Sequence, residues 1–282
     1  MNPFISISSG AYNGHPLHVA FEEVAKIGGT HLELIFIHGF SNPFEESYFC
    51  EANAAEVRQL YKSSGLQCGA FAAHMDLSTA QSVSQFIARM DFAKSIGAHF
   101  MITYAAPMDK EVEFYKNMEV FVRHAEEINL IIAFENPGDG KRNIIDAARS
   151  GAEVIKRLGS DYVKFNYDFG NLMSHFREDI LPEEDFLHVI NDTVHLHVKD
   201  SRKIKSGWEF PAIGKGDIDF RYIFRELKDR AIDLPLCLEV PVTMTRDVYG
   251  IPKMAEVPPT LDEIAKTLKD SLDYTRDITG RS

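Results

Sequence analysis

The chain has 282 residues, 45% of them hydrophobic and 26% charged, a balance that fits a soluble globular protein long enough to bury a sizeable core. Its formal net charge of −12, with no basic run longer than Arg202-Lys203-Ile204-Lys205, argues against nucleic acid, because a polyanion calls for a basic face. Three scattered cysteines (Cys50, Cys68 and Cys237) exclude a disulfide framework and a Cys-x-x-Cys metal knuckle. No signal-peptide pattern or bilayer-length apolar run is present, so a cytoplasmic protein with no membrane partner is expected.

The first predicted strand is Phe4–Ser8. The turn after it, Ser8-Ser9-Gly10-Ala11-Tyr12-Asn13-Gly14, lacks the glycine fingerprint that a doubly wound sheet places there. A helical segment then ends at Ala25-Lys26-Ile27-Gly28, and an apolar run, His31–Phe36, follows. The same order of helix, glycine and strand recurs three times. Ser63-Ser64-Gly65 precedes Cys68–Ala73, Ser95-Ile96-Gly97 precedes Phe100–Tyr104, and Arg157-Leu158-Gly159 precedes Tyr162–Asp168. Between the third and fourth strands, Ala80–Ser95 carries no Pro or Gly, and Val83, Phe86, Ile87, Met90 and Ala93 recur at helical period. Leu130–Glu135, Thr193–Val198 and Pro235–Val240 complete a set of eight strands. The spacing of roughly thirty residues is that of a βαβ unit. An α/β chain of this kind, a (β/α)8 barrel in one domain over residues 1–282, is the predicted fold. Pro241–Pro259 reads as a long loop after the last strand.

Side chains alternate along a strand, so residues two apart share a face. Leu130, Ile132 and Phe134 oppose Ile131, Ala133 and Glu135; Val163, Phe165 and Tyr167 oppose Lys164, Asn166 and Asp168. Val194, Leu196 and Val198 oppose His195, His197 and Lys199; Leu236, Leu238 and Val240 oppose Cys237 and Glu239. The apolar faces suit the surrounding helices. The polar faces end at the C-terminal strand edge, where barrel active sites lie. Glu135, Asp168, His197 and Glu239 are therefore expected to converge. Three crowded carboxylates repel one another and raise their pKa values, a cost that a divalent cation removes. Carboxylate oxygens with one imidazole suit one Mn²⁺, Mg²⁺, Co²⁺ or Zn²⁺.

The segments Phe134-Glu135-Asn136-Pro137, Tyr167-Asp168-Phe169-Gly170-Asn171, His195-Leu196-His197-Val198-Lys199-Asp200, Ile213-Gly214-Lys215-Gly216-Asp217 and Leu238-Glu239-Val240-Pro241 resemble the xylose isomerase-like TIM-barrel superfamily. That group holds sugar isomerases and epimerases, inosose and dehydroshikimate dehydratases, and metal-dependent apurinic endonucleases. The resemblance runs from the second strand to the eighth. It implies that Glu135, Asp168, His197 and Glu239 are metal ligands. The chain departs from the group at two places. Epimerases of the group carry a His three residues after the Asp ligand, where this chain has Asn171. The endonucleases need that His and a further one at the end of the fourth strand, where this chain reads Tyr104-Ala105-Ala106.

The expected activity is that of a metal-dependent sugar or polyol isomerase or epimerase, with Glu135 and Glu239 moving a proton across an enediolate. His74, Asn171, Lys199, Arg202 and Trp208 are the candidate substrate contacts, with Lys199 and Arg202 set to steady the developing oxyanion. Trp208 stacks on a sugar face or pins its loop. Glu33 lines the pocket or is structural, and His195, deeper than His197, reads as a buried hydrogen-bonded residue. The rival activities are dehydration of a cyclic polyol or keto-acid such as inosose and, from another class, abasic-site incision. The partner is a small carbohydrate or polyol, and a homo-oligomer is an open alternative to a monomer.

Overall fold

The apolar runs pair as parallel strands whose ladder closes on itself. The computed structural model describes residues 3–176 and 179–281. In chain order its strands are β1 (Ile5–Ser8), β2 (His31–Ile35), β3 (Gln67–Ala72), β4 (Phe100–Thr103), β5 (Ile131–Glu135), β6 (Val163–Asp168), β7 (Thr193–Val198), β8 (Arg202–Ile204), β9 (Gly207–Glu209), β10 (Leu236–Leu238), β11 (Met244–Asp247) and β12 (Pro252–Met254). The barrel runs β1-β10-β7-β6-β5-β4-β3-β2 and is closed and parallel throughout. Around it lie α1 (Leu17–Lys26), α2 (Glu51–Ser64), α3 (Ser82–Ser95), α4 (Glu111–Ile128), α5 (Ala148–Leu158), α6 (Phe169–Phe176), α7 (Pro182–Asp185), α8 (Phe220–Asp229) and α9 (Leu261–Thr279). The fold is a (β/α)8 barrel. Among the described residues no helix is long and apolar enough to cross a membrane.

Local chemistry explains the boundaries. α2 and α5 stop at Gly65 and Gly159, whose φ values of 71° and 62° lie in the left-handed region that favours glycine. α9 starts in a capping box, with the Thr260 hydroxyl accepting from Glu263 N and the Glu263 carboxylate accepting from Thr260 N.

Strand alternation divides the core in two. Leu32, Leu34, Phe71, Met101, Ile132, Phe134, Phe165 and Leu238 face the helices in the main core. Ile35, Ala70, Ala72, Phe100, Ile102 and Ala133 form a smaller cluster, which alternation assigns to the barrel interior. On β6 and β7 the interior positions are instead polar, Asn166, His195 and His197, and on β10 the interior position is Cys237.

Two expectations from the sequence need correction. Val194 does not join the helix-facing row. The ladder steps from Phe165↔Thr193 to Asn166↔His195, so Val194 is the extra residue of a β-bulge and packs on the interior cluster. The segment after the last barrel strand is not a plain loop. β11 and β12 form a hairpin there, which joins β9 and β8 in an antiparallel sheet of order β12-β11-β9-β8.

Candidate metal centre

Register brings the site together. Glu135 pairs with Asn166, Asp168 with His197, and His197 with Cys237, so consecutive strands deliver their last interior residues to one arc of the rim. Glu239 lies just past β10, but its N–H still donates to Val198 O at 3.2 Å, which extends the ladder by one residue. The Asn136 side chain does the same between β5 and β6. Its Oδ1 accepts from Asp168 N at 2.9 Å, and its Nδ2 donates to Asp168 O at 2.8 Å. Asp168 ends β6 and opens α6, and its Oδ1 accepts from Asn171 N at 2.8 Å as a helix N-cap does.

One ligand atom from each of Glu135, Asp168, His197 and Glu239 lies within 4.8 Å of every other, and all four residues are buried. His197 Nδ1 is 2.8 Å from Glu135 Oε2, 3.1 Å from Glu239 Oε2 and 3.9 Å from Asp168 Oδ2. None of these contacts is aligned as a hydrogen bond, so charge alone holds this buried nitrogen among the three carboxylates. On its other side, His197 Nε2 is 2.9 Å from Glu33 Oε1. Hydrogen bonds fix Glu135: Asn166 Nδ2 donates to Oε2 at 2.7 Å and Asn171 Nδ2 to Oε1 at 2.9 Å. His195 Nδ1 is paired with Asn166 Oδ1 at 2.8 Å, the buried hydrogen bond expected of it.

Lys199 is the counter-ion of the arc. Its Nζ donates to Asp168 Oδ2 at 2.5 Å, Glu239 Oε2 at 2.7 Å and Asn171 Oδ1 at 3.1 Å. Gly170 lets it through: a Cβ there would stand 2.7 Å from both Lys199 Cγ and Lys199 O. The electrostatics remain strained. Burial pushes Asp168 up to about 8 against the pull of Lys199, and burial followed by repulsion from Glu239 raises Glu135. Burial works against Glu239 too, yet Lys199 and His197 hold it well below the usual carboxylate range. Three buried carboxylates, one of them pushed towards its neutral form, together with an imidazole nitrogen that faces them without a hydrogen bond, are a donor set that fits one divalent cation. A second group, Glu33, His197 and Cys237, lies deeper, but burial raises the Cys237 thiol well above its ordinary value and so disfavours the thiolate that a metal needs.

The other sequence candidates divide. His74 is buried beside the arc, with Nε2 3.7 Å from Glu135 Oε2 and its ring stacked on Tyr104 at 4.0 Å. Asn171 joins the arc as described. Arg202 does not reach it: it is exposed on β8, and its Nε donates to Glu209 Oε1 at 2.7 Å across the hairpin. Trp208 is buried on β9, paired with Lys203 on one side and Arg246 on the other, so it belongs to the sheet's packing. Asp200 accepts from Gly214 N and Gly216 N, both at 2.8 Å, and so secures the Gly-Lys-Gly turn.

Several site residues escaped the sequence reading. Asn166 orients the Glu135 carboxylate and Asn136 ties the Asp168 backbone, and their signal was position alone, two residues before Asp168 and one after Glu135. Arg89, fully buried on α3, pairs with Glu46 and donates to Ala73 O and His74 O, which fixes the backbone at His74. Arg246 reaches the arc from β11 and had no sequence signal.

A family model for the xylose isomerase-like TIM barrel matches residues 21–277. No curated protein sequence matches the chain. Among solved structures, the D-psicose 3-epimerase of Clostridium cellulolyticum H10 with D-tagatose is 16% identical, with 98% of this chain and 99% of that one covered and a TM-score of 0.75. An L-ribulose 3-epimerase is 14% identical, with 99% and 95% covered and a TM-score of 0.74. The 3-keto-D-glucoside 4-epimerase of E. coli, in apo form, is 15% identical, with 98% and 100% covered and a TM-score of 0.71.

Proposed function

Because the chain belongs to the xylose isomerase-like TIM barrel family, we propose that it is a divalent-metal-dependent sugar or polyol isomerase or epimerase. The observation that carries this reading is the arc of Glu135, Asp168, His197 and Glu239, with ligand atoms within 4.8 Å of one another and two glutamates at its ends. A divalent ion held there would polarise a substrate carbonyl and acidify the adjacent C–H. The protein's own groups do the rest. Glu135 on β5 and Glu239 after β10 are separated around the rim by β6 and β7, so they flank the substrate. One carboxylate takes the proton from carbon and the other returns it across an enediolate. Asn166 and Asn171 hold Glu135 in orientation, and Lys199 steadies negative charge that develops on oxygen. His74, neutral because burial pushes its imidazole down to about 3, offers a hydrogen bond without adding charge. The relatives whose names specify 3- and 4-epimerisation of sugars are consistent with this chemistry.

The test is isotopic. The Mn²⁺-loaded protein, incubated with a panel of ketoses in D₂O, is expected to place deuterium on the carbon beside the carbonyl. Glu135→Gln and Glu239→Gln are expected to slow that exchange about 10²–10⁴-fold. Failure of the wild-type protein to bind stoichiometric Mn²⁺ or Zn²⁺ overturns the metal site. Full retention of substrate label in the product overturns proton transfer, and release of a dehydrated product points to the lyase instead.

A further inference from the structure

Arg246 is a buried cation that the proton-transfer scheme leaves without a task. It is 7% exposed on β11, at the edge of the arc. Its Nη1 donates to Ser174 Oγ at 3.0 Å and its Nη2 to Asn171 Oδ1 at 3.1 Å, both neutral acceptors. Its Nε is buried with no partner, and among the described residues no carboxylate pairs with the guanidinium. A guanidinium offers five N–H donors, and only two are engaged here.

A buried charge without a counter-ion is costly, and proteins rarely keep one unless a ligand supplies the partner. Lys199 shows the contrast. It is equally buried but committed to Asp168 and Glu239. The two cations meet on one atom, Asn171 Oδ1, which accepts from both at 3.1 Å, and of the two only Arg246 is left without a carboxylate among the described residues. The Phe210 ring walls this corner, with its centroid 5.8 Å from Arg246 Cζ and 6.0 Å from Lys199 Nζ. The backbone has made room for the guanidinium: any side chain at Gly138 would collide with it.

We infer that Arg246 is the subsite for an anionic group on the substrate, a carboxylate or a phosphate. Among the described residues its Nε–H has no partner and each Nη keeps a second N–H beyond the one it donates, and a planar guanidinium suits either oxyanion. This inference rests on the proposed sugar-converting reaction and narrows its substrate class to acidic sugars.

Three sugars of one carbon skeleton test it: D-fructose, D-fructose 6-phosphate and 2-keto-D-gluconate. Their binding to the Mn²⁺-loaded protein is measured by titration calorimetry, which does not depend on turnover. One of the two anions is expected to bind about thirtyfold tighter than D-fructose, and which one does so decides between phosphate and carboxylate. Arg246→Gln is expected to abolish the preference and Arg246→Lys to keep part of it, with circular dichroism and Mn²⁺ stoichiometry confirming that both variants are folded. Absence of a preference for either anion over D-fructose overturns the subsite. So does a preference that survives in Arg246→Gln, since the anion is then bound by the metal or by Lys199. Deuterium exchange measured on the same samples separates the two readings. Exchange without anion preference leaves the reaction and removes the subsite, and preference without exchange does the reverse.

Discussion

At the rim of the barrel, Glu135, Asp168, His197 and Glu239 are held by parallel ladders that run the length of β5, β6, β7 and β10. Above them, Trp208 and Arg246 sit opposite one another on β9 and β11, strands of three and four residues that pair across two separate excursions of the chain. The rim residues share a dense network in which each carboxylate has a charged or amide partner. Arg246 reaches the same network only through neutral oxygens. The rim therefore carries more negative than positive charge and shares one lysine among its carboxylates, whereas the sheet brings in a cation that no carboxylate among the described residues pairs with.

The difference has a physical consequence for stability. Barrel strands are covered on both faces, while the antiparallel sheet presents Val248, Tyr249, Ile251 and Met254 on or beside its hairpin to solvent. Local opening is drawn from the parts of a fold with fewer buried contacts. Trp208→Ala should break the sheet first. Removing a buried indole costs about 3–5 kcal/mol, and hydrogen exchange should show that loss in the amides of β8, β9, β11 and β12 while those of β5–β7 keep their protection. Equal loss of protection in the barrel strands would join the two regions into one cooperative unit and end the comparison.

Two glycines sharpen it further. At Gly170 an added Cβ meets Lys199 O as well as Lys199 Cγ, both at 2.7 Å, so backbone must move. At Gly138 it meets the guanidinium of Arg246, the far end of a side chain that can swing away, and Asn171 Oδ1, which the arc holds in place. Overpacking costs about 1–3 kcal/mol at such positions, but its target differs. Gly170→Ala should weaken Mn²⁺ binding in a titration, because Lys199 and the arc are displaced together. Gly138→Ala should expel Arg246, so that any preference for acidic sugars disappears, and should weaken Mn²⁺ binding less than Gly170→Ala does, through Asn171 and its bond to Glu135. The opposite assignment of effects would show that Arg246 supports the arc itself.

The same contrast explains what the sequence disclosed. Alternation in strands of five or six residues places Glu135, Asp168 and His197 on one face with no knowledge of tertiary structure, and glycine caps mark where each unit restarts. The partners Asn136 and Asn166 had position as their only signal, since an amide that extends a ladder or props a carboxylate looks like any other Asn. Arg246 was hidden for a stronger reason. Its place depends on Trp208↔Arg246 pairing between loops nearly forty residues apart, and strands this short carry no periodicity. Arg202 misled in the opposite sense. It follows the β7 motif closely, but the β8–β9 hairpin turns it to Glu209. The bulge at Val194 likewise follows from register and not from composition.

The smallest expected effect concerns His74, which belongs to the rim side of the comparison but carries no charge there. It is sealed beneath Tyr104, and Arg89 fixes its backbone carbonyl. Burial lowers its pKa from 6.5 to about 3, the largest of several causes, with Glu239 opposing. A histidine whose folded pKa is depressed binds its proton more readily in the unfolded chain. The stability it allows is therefore complete above pH 6.5 and is lost as the pH falls from there towards about 3. Within that window the loss approaches about 1.4 kcal/mol per pH unit. Other groups titrate in the same range, Asp168 with the opposite sign, so the quantity to measure is a difference. Chelator-treated wild type and His74→Gln should be unfolded in urea at pH 5.5 and 4.5. The wild type should lose about 1.4 kcal/mol more than the variant over that unit. Equal losses would mean that His74 takes up a proton within the fold, and a charged imidazole 3.7 Å from Glu135 would then add a positive charge to the rim.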